Sequence, residues 1–290
     1  MIYKKHVGKI RKSGFLTLVF FLISGVSSTD NPSAYEIANR MFARTKDINT
    51  LIYDIKKLEL INGKMVEQHS YVKLNRNPYK VYTMQTFPKM GVEVLYIAGP
   101  KNKALINPNG FPWINIRLDP YGRIMRKGQH HTILDSGFDL VVSILEFLFN
   151  KYDEKIETMI EIKGTTQWEG YSCWVLEFNN PYFEHIKYTV KEGESILTIA
   201  DKFKLSEYMI LEINKNLDDY DDVHPGQVIE IPNDYSPRMI LYIDKGRLLP
   251  VVMKVYDKQG LFEHYEYTNI LLEPDLKPEE FIQDYKEYKF

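Results

Sequence analysis

The stretch from Tyr188 to Pro232, YTVKEGESILTIADKFKLSEYMILEINKNLDDYDDVHPGQVIEIP, reads as a complete small folding unit lying inside the chain, with strand-like sequence on both sides. That placement constrains everything around it. The flanking chain must keep the two ends of the unit close together, which adjacent strands of one sheet do, and insertions at such a connection cost little. Within the unit, Tyr188 to Val190 alternates as a short strand does. Gly193-Glu194-Ser195 forms a turn feeding a helix, with Ser195 as N-cap. Ile196, Ile199, Ala200 and Phe203 fall at i, i+3, i+4 and i+7, one face of that helix. A second helix starts near Ser206, with Met209, Ile210 and Ile213 as its apolar face. Pro225-Gly226 is a turn, and Val228, Ile229 and Ile231 form a closing strand before Pro232. These apolar residues suffice for one small core.

The segment resembles the LysM family of glycan-binding modules. The matching positions are Tyr188, Val190, Gly193, Glu194, Ser195, Ile196, Ile199, Ala200, Phe203, Leu205, Ile210, Asn214, Leu217, Gly226, Val228, Ile231 and Pro232. The family's usual Asp-Thr after the glycine stands here as Glu194-Ser195, which keeps an acid and a hydroxyl but lengthens the acid. The resemblance implies binding to N-acetylglucosamine polymers, meaning peptidoglycan or chitin. It also implies a groove in which Gly193, Glu194, Ser195 and Ile196 face Asn214, Asn216 and Leu217. Backbone N–H groups at a helix start can bind an acetamide carbonyl, and small apolar side chains can hold its methyl group. The competing reading is that Asn214 and Ser195 only cap and brace the module.

The N-terminus reads as an export signal. Lys4, Lys5, Lys9, Arg11 and Lys12 precede an apolar run from Phe15 to Val26, and Val26-Ser27-Ser28 offers small residues for cleavage before Thr29. The run falls short of the ~20 apolar residues of a membrane span, so no transmembrane segment is expected after cleavage of residues 1–28. No cysteine lies near the cleavage point to accept a lipid. Removing the segment takes away five basic residues and no acidic one, moving the formal charge from −2 to −7. A net acidic chain argues against nucleic-acid binding and against adhesion to anionic membranes by bulk charge. Cys173 has no partner for an internal disulfide and is expected to be a small packed residue. About 260 remaining residues suffice for one large domain and one small one.

Outside the module the pattern is α+β. Ala34, Ile37, Ala38, Met41 and Phe42 mark a helix after Ser33. Leu51–Ile61 and Met65–Leu74 flank Asn62-Gly63, a hairpin signal. Strands continue over 78–87, 92–97, 104–106, 113–118 and 124–125. Phe138 to Tyr152 is an apolar helix to be covered on most sides. Strands resume at 158–163, 171–178 and 185–187, then at 238–243, 249–256 and 262–270. Many antiparallel strands with two helices predict one large curved sheet closing over helices. Composition alone, with 21 Tyr, 15 Phe and 3 Trp, favours an ordinary filled interior over a hollow one.

Two motif sets add a second resemblance. Arg238 to Asp244 with Gly246, Leu249-Pro250, Tyr256-Asp257 and Gly260 looks like the terminal meander of the LolA/LolB-like lipoprotein-carrier superfamily. Glu93 to Tyr96, Leu118-Asp119-Pro120 with Gly122, and Thr132-Ile133 with Gly137 are similar to a sparsely characterised branch of it. This resemblance implies a half-barrel sheet wrapped on helices, able to shelter an acyl chain. The implied organisation is a signal peptide over 1–28, a discontinuous sheet domain over 29–186 plus 237–290, and the LysM domain over 187–233.

No G-x-S-x-G, H-E-x-x-H or P-loop pattern occurs. His130-His131 would point to opposite faces of a strand and reads as a polar loop end. Asp218, Asp219, Asp221 and Asp222 lack the glycine and terminal glutamate of a calcium loop and read as a solvated rim. The expectation is therefore a non-enzymatic periplasmic or cell-envelope protein without a cofactor or metal. Its expected partners are a peptidoglycan-type glycan and a lipid, lipoprotein or protein held by the body. The alternative is a cell-wall hydrolase or transferase that uses the module for targeting.

Overall fold

In the computed structural model residues 31–290 are described, and the export signal expected over 1–28 lies outside them. Helix α1 (Ala34–Lys46) opens on Ser33, whose hydroxyl accepts from the Glu36 N–H while the Glu36 carboxylate returns to the Ser33 N–H. Thirteen strands follow in total: β1 (Thr50–Ile61), β2 (Lys64–Arg76), β3 (Tyr79–Phe87), β4 (Val92–Ile97), β5 (Ala104–Asn107), β6 (Ile116–Leu118), β7 (Ile160–Trp168), β8 (Tyr171–Asn179), β9 (His185–Thr189), β10 (Val228–Pro232), β11 (Arg238–Asp244), β12 (Pro250–Tyr256) and β13 (Leu261–Leu272). The remaining helices are α2 (Arg123–Arg126), α3 (Asp139–Tyr152), α4 (Ile196–Phe203) and α5 (Glu207–Ile213).

Eleven strands form one open sheet in the order β6-β5-β4-β3-β2-β1-β13-β12-β11-β8-β7, with every pair antiparallel. β9 and β10 pair separately. Side chains alternate between two environments, as a pleated strand requires. On β2, Val72 and Leu74 enter the main core, which holds Ile37, Met41 and Phe42 of α1 and Ile144, Leu145 and Leu148 of α3. Their neighbours Tyr71 and Lys73 face the other way. There the C-terminal segment lies back across the sheet. Tyr288 stacks on Tyr82 with ring centroids 3.7 Å apart, and Lys73 pairs with Glu280 at 2.6 Å.

β8 and β11 are hydrogen-bonded neighbours, with Met239 opposite Phe178 and Asp244 opposite Cys173. The β9-α4-α5-β10 unit therefore fills the connection between two adjacent strands. The Asp244-Lys-Gly246 and Asp257-Lys-Gln-Gly260 turn markers of the last strands are side-chain-closed turns. Asp244 Oδ1 accepts from the Gly246 and Arg247 N–H groups, and Asp257 Oδ1 from Gln259 and Gly260.

One predicted strand is absent and one is shortened. Residues 124–125 lie in helix α2. The Asp119 carbonyl accepts from the Gly122 N–H and turns the chain away from β6, which is the sheet edge, so these residues have no strand to pair with. The strand expected over 113–118 shortens to β6, because Trp113 takes a left-handed turn.

Candidate functional site

The first candidate surface is the groove expected on the module. Ser195 caps α4, with its hydroxyl accepting from Thr198 N–H at 3.4 Å. Gly193 has φ of +76° and open space where a Cβ would stand, so the turn presents backbone to solvent. The Ile196 N–H donates to the Tyr220 carbonyl at 3.3 Å, which brings this turn against the segment that follows α5. Ile196 and Leu217 are both buried in the module core, while Asn216 is exposed. Glu194 is held by the Tyr188 hydroxyl at 2.7 Å and the Lys191 N–H at 2.9 Å. Burial opposes its charge, but these donors and Lys202 hold its carboxyl below the usual range. Asn214 donates to the Ile210 and Glu230 carbonyls at 2.7 and 2.6 Å and accepts from the Glu230 N–H at 2.9 Å. Its amide clips α5 to β10. Of the seven expected groove residues, Gly193, Ser195 and Asn216 keep solvent-facing groups, and the other four are occupied inside the module.

The second is inside the body. Between the inner face of β1–β4 and the segment 125–141 lies a cavity of about 200 Å³, where composition had favoured a filled core. Its rim is polar, with Lys57, Gln68, Gln85 and Gln129. Its floor on the sheet is apolar, with Ile55, Val72 and Val94, and Ile133 and Leu140 face it from the opposite segment. The roof is the stretch that carries Thr132 and Gly137. Thr132 and Asp135 cap each other, and the Gly137 peptide is gripped on both sides, its N–H by the Tyr53 oxygen at 2.8 Å and its carbonyl by the Tyr267 hydroxyl at 3.1 Å.

The wall next to the module holds a buried charge cluster. Glu59 and Glu263 are directly opposite on β1 and β13, and both are buried. Like charges so placed repel, and two histidines answer them. His130 Nδ1 lies 2.7 Å from Glu263 and His131 Nε2 lies 3.2 Å from the same oxygen. His130 Nε2 faces the Leu60 carbonyl at 2.9 Å. Burial works against a charged His131, but Glu263 outweighs it and lifts the ring to about 9. Burial likewise opposes the Glu263 charge, and the histidines drive its carboxyl well below the usual range. Tyr235 donates to Glu263 at 2.9 Å and Tyr265 to Glu59 at 2.6 Å. His130-His131 lie in a loop, as expected, but the rings are turned inward onto Glu263 and do not form a solvated polar end. In a loop, unlike a strand, adjacent rings can converge. Glu263 lies 133 residues away from His130, and no local pattern announces it. Among the described residues no His, Cys, Asp and Glu group is arranged to hold a metal ion.

This same cluster meets the module. The Ser206 hydroxyl, at the start of α5, donates to the His130 carbonyl at 3.0 Å, and the Tyr208 ring stacks on His130 with centroids 4.6 Å apart. The Tyr208 oxygen accepts from the Asn62 N–H at 2.8 Å. Arg126 of α2 pairs with Glu207 at 3.0 Å and lies 4.2 Å from the Tyr220 ring centre. At the foot of the module, buried Asp234 accepts from Lys151, Tyr152 and Asn180 at 2.5–2.8 Å. The module is docked against the body rather than loosely strung from it.

A large open sheet wrapped on helices, carrying a small docked βααβ module, is the class of protein this geometry defines. The chain belongs to the family described as protein of unknown function DUF1571, which matches residues 49–196, and the LysM domain matches residues 188–232. No curated protein matches the chain. Solved structures similar to it include a DUF1329 family protein from Desulfovibrio piger (10% identity, covering 86% of this chain and 96% of that one, TM-score 0.33). A LolA superfamily protein from Nitrosomonas europaea is also similar (11% identity, 88% and 99% covered, TM-score 0.34). So is MucB from its Pseudomonas aeruginosa complex with MucA (11% identity, 86% and 60% covered, TM-score 0.40). Scores at this level indicate a partial likeness, and the architecture rests on the strand pairings themselves.

Proposed function

We propose that this is a non-enzymatic cell-envelope protein that binds peptidoglycan through its LysM module and holds an apolar ligand in its body. The observation that carries this reading is the module itself, matched along its whole length and built with an open Gly193 turn set against the loop after α5. The organisation proposed is a sheet domain interrupted by the module over 187–233, exported to the periplasm. The glycan-facing groups are Gly193 and Ser195 on one side and Asn216 on the other. Glu194, Asn214 and Leu217 shape the groove from within. The body cavity is smaller than the ~300–1,000 Å³ of a typical small-molecule site. A whole acyl chain would extend out past the Lys57 and Gln68 rim or lift the 132–137 roof.

The glycan half is tested with purified peptidoglycan in a pull-down. Gly193→Asn keeps a residue type that tolerates positive φ and fills the open space above the turn. Combined with Asn216→Ala, it is expected to abolish retention while the fold survives. Retention at the wild-type level would sink the groove assignment. For the body, mass spectrometry of an organic extract is expected to find co-purified lipid, and a clean extract counts against it. Hydrolase or transferase activity is the second reading, because His131, which lines the cavity, is paired with the buried Glu263 behind it. Clearing of peptidoglycan in a zymogram by the purified protein would replace the non-enzymatic reading.

A further inference from the structure

Two neighbouring loops push large apolar side chains into solvent. The β3–β4 loop presents Met90, 69% exposed, and the β5–β6 loop presents Phe111, Trp113 and Ile114, at 84%, 80% and 64%. None of the four packs into a core cluster. Single exposed hydrophobics are ordinary, but a concentrated set marks an interaction surface. The two loops are tied into one unit. The Lys89 ammonium donates to the Pro108 carbonyl at 2.8 Å, and the Asn109 amide to the Met90 carbonyl at 2.8 Å. Trp113 sits at a φ of +63° behind a turn closed by its N–H to the Gly110 carbonyl at 2.7 Å. A bulky aromatic is disfavoured in that left-handed conformation, so folding of the loop does not explain a tryptophan there.

Charge and position identify the occupant. Lys101 and Lys103 stand in the β4–β5 loop at the opposite end of the strands, and Arg126 is buried; the rest of the stretch from Phe87 to Gly128 carries Lys89, Arg117, Arg123 and Lys127 against one exposed acid, Asp119, because Glu93 is buried. This is a local reversal on a chain of net charge −2. Gln85 and Val92 line the cavity and are paired across the base of the β3–β4 loop, so the apolar loops stand at the cavity's end of the sheet. Trp, Phe and Ile beside basic residues are what partition into the headgroup region of an anionic bilayer.

We propose that the paired loops are a membrane-docking element. Met90, Phe111, Trp113 and Ile114 enter the boundary between headgroups and acyl chains, and Lys89 with the neighbouring basic residues meets the lipid phosphates. The docking stands without the cavity reading. If the cavity does take an acyl ligand, docking sets its open end at the lipid surface.

The test uses the full chain with vesicles of phosphatidylglycerol and phosphatidylethanolamine whose acyl chains carry bromine, a quencher of tryptophan fluorescence. Wild type is expected to be quenched, and Trp113→Phe, which keeps an aromatic at the tip, to lose that quenching. Phe111→Ser/Ile114→Ser keeps the Trp113 reporter, and its half-quenching lipid concentration is expected to rise at least about tenfold. Brominated phosphatidylcholine vesicles are expected to quench wild type more weakly. These residues are exposed, so the thermal midpoints of the variants should match wild type. Absence of quenching, as when the loops dock a protein instead, overturns the proposal. Equal quenching of Trp113→Phe, or an unchanged half-point in the double variant, also overturns it. The co-purified lipid assay reports on the cavity alone, so the two readings fail separately.

Discussion

At Gly137 an added Cβ would stand 2.8 Å from the Leu74 side chain, on a backbone whose φ of +96° already disfavours an L-residue. Gly137→Ala is expected to destabilise the protein by about 1–3 kcal/mol, read as a lower urea midpoint with an unchanged slope. The glycine was visible in the sequence as one marker among several. Its reason, the Leu74 contact and the Tyr53 and Tyr267 grip, belongs to packing. The His131–Glu263 pair makes a pH prediction. His131 is raised from an ordinary value of 6.5 to about 9, so its contribution is complete below 6.5 and lost as the pH rises through about 9. Glu263 is lowered from 4.5, so its contribution is complete above 4.5 and lost as the pH falls below that. The pair therefore stabilises most between about 4.5 and 6.5. His131→Gln removes the titration, and its deficit in thermal midpoint against wild type is expected to shrink as the pH passes 9. A deficit that stays constant from pH 6 to 10 would refute this.

Most elements followed from local pattern. The Asn62-Gly63 hairpin formed because both residues accept positive φ, and α3 formed with Val141, Ile144, Leu145 and Leu148 buried along one side. Helix α2 escaped the sequence reading because four residues hold too little periodicity to separate helix from strand. What holds α2 in place is its contact with α5. Arg126 is buried, pairs with Glu207, and leaves Nε and Nη1 without a conventional acceptor, near the Tyr121 and Tyr220 rings. Arg126→Met leaves Glu207 without its partner and is expected to cost about 3–5 kcal/mol, loosening the module and speeding amide exchange in α5. Adding Glu207→Met is expected to recover most of that loss. If the double variant is no better than the single, the ion pair is not what seats the module.

Across the whole molecule, the module is continuous with the body. Ile196, Ile199, Ile210 and Ile231 make a core of their own, but Met209 belongs to the main core and Tyr208 packs against it. An excised 185–235 fragment would expose both and is expected to fold with a thermal midpoint below that of the full chain, measured by circular dichroism. An equal midpoint would mean that docking adds nothing to the module. Charge shows the same dependence on scale. The formal charge of −7 expected after removal of residues 1–28 argued against adhesion to anionic surfaces, yet Lys89, Arg117, Arg123 and Lys127 outnumber the one exposed acid, Asp119, in the stretch that carries the exposed loops. Among the described residues no helix is long and apolar enough to cross a membrane. What the sequence by itself determined was most of the strands and the long helices, the module with its capped turn, and the adjacency of its two flanking strands, because these depend on side-chain periodicity and on turn chemistry a few residues long. Only the tertiary structure decided that two adjacent histidines converge on one distant glutamate, that a cavity persists under the Thr132–Gly137 roof, and that the module is seated on α2. Those features depend on contacts between residues tens to more than a hundred positions apart, which leave no local pattern.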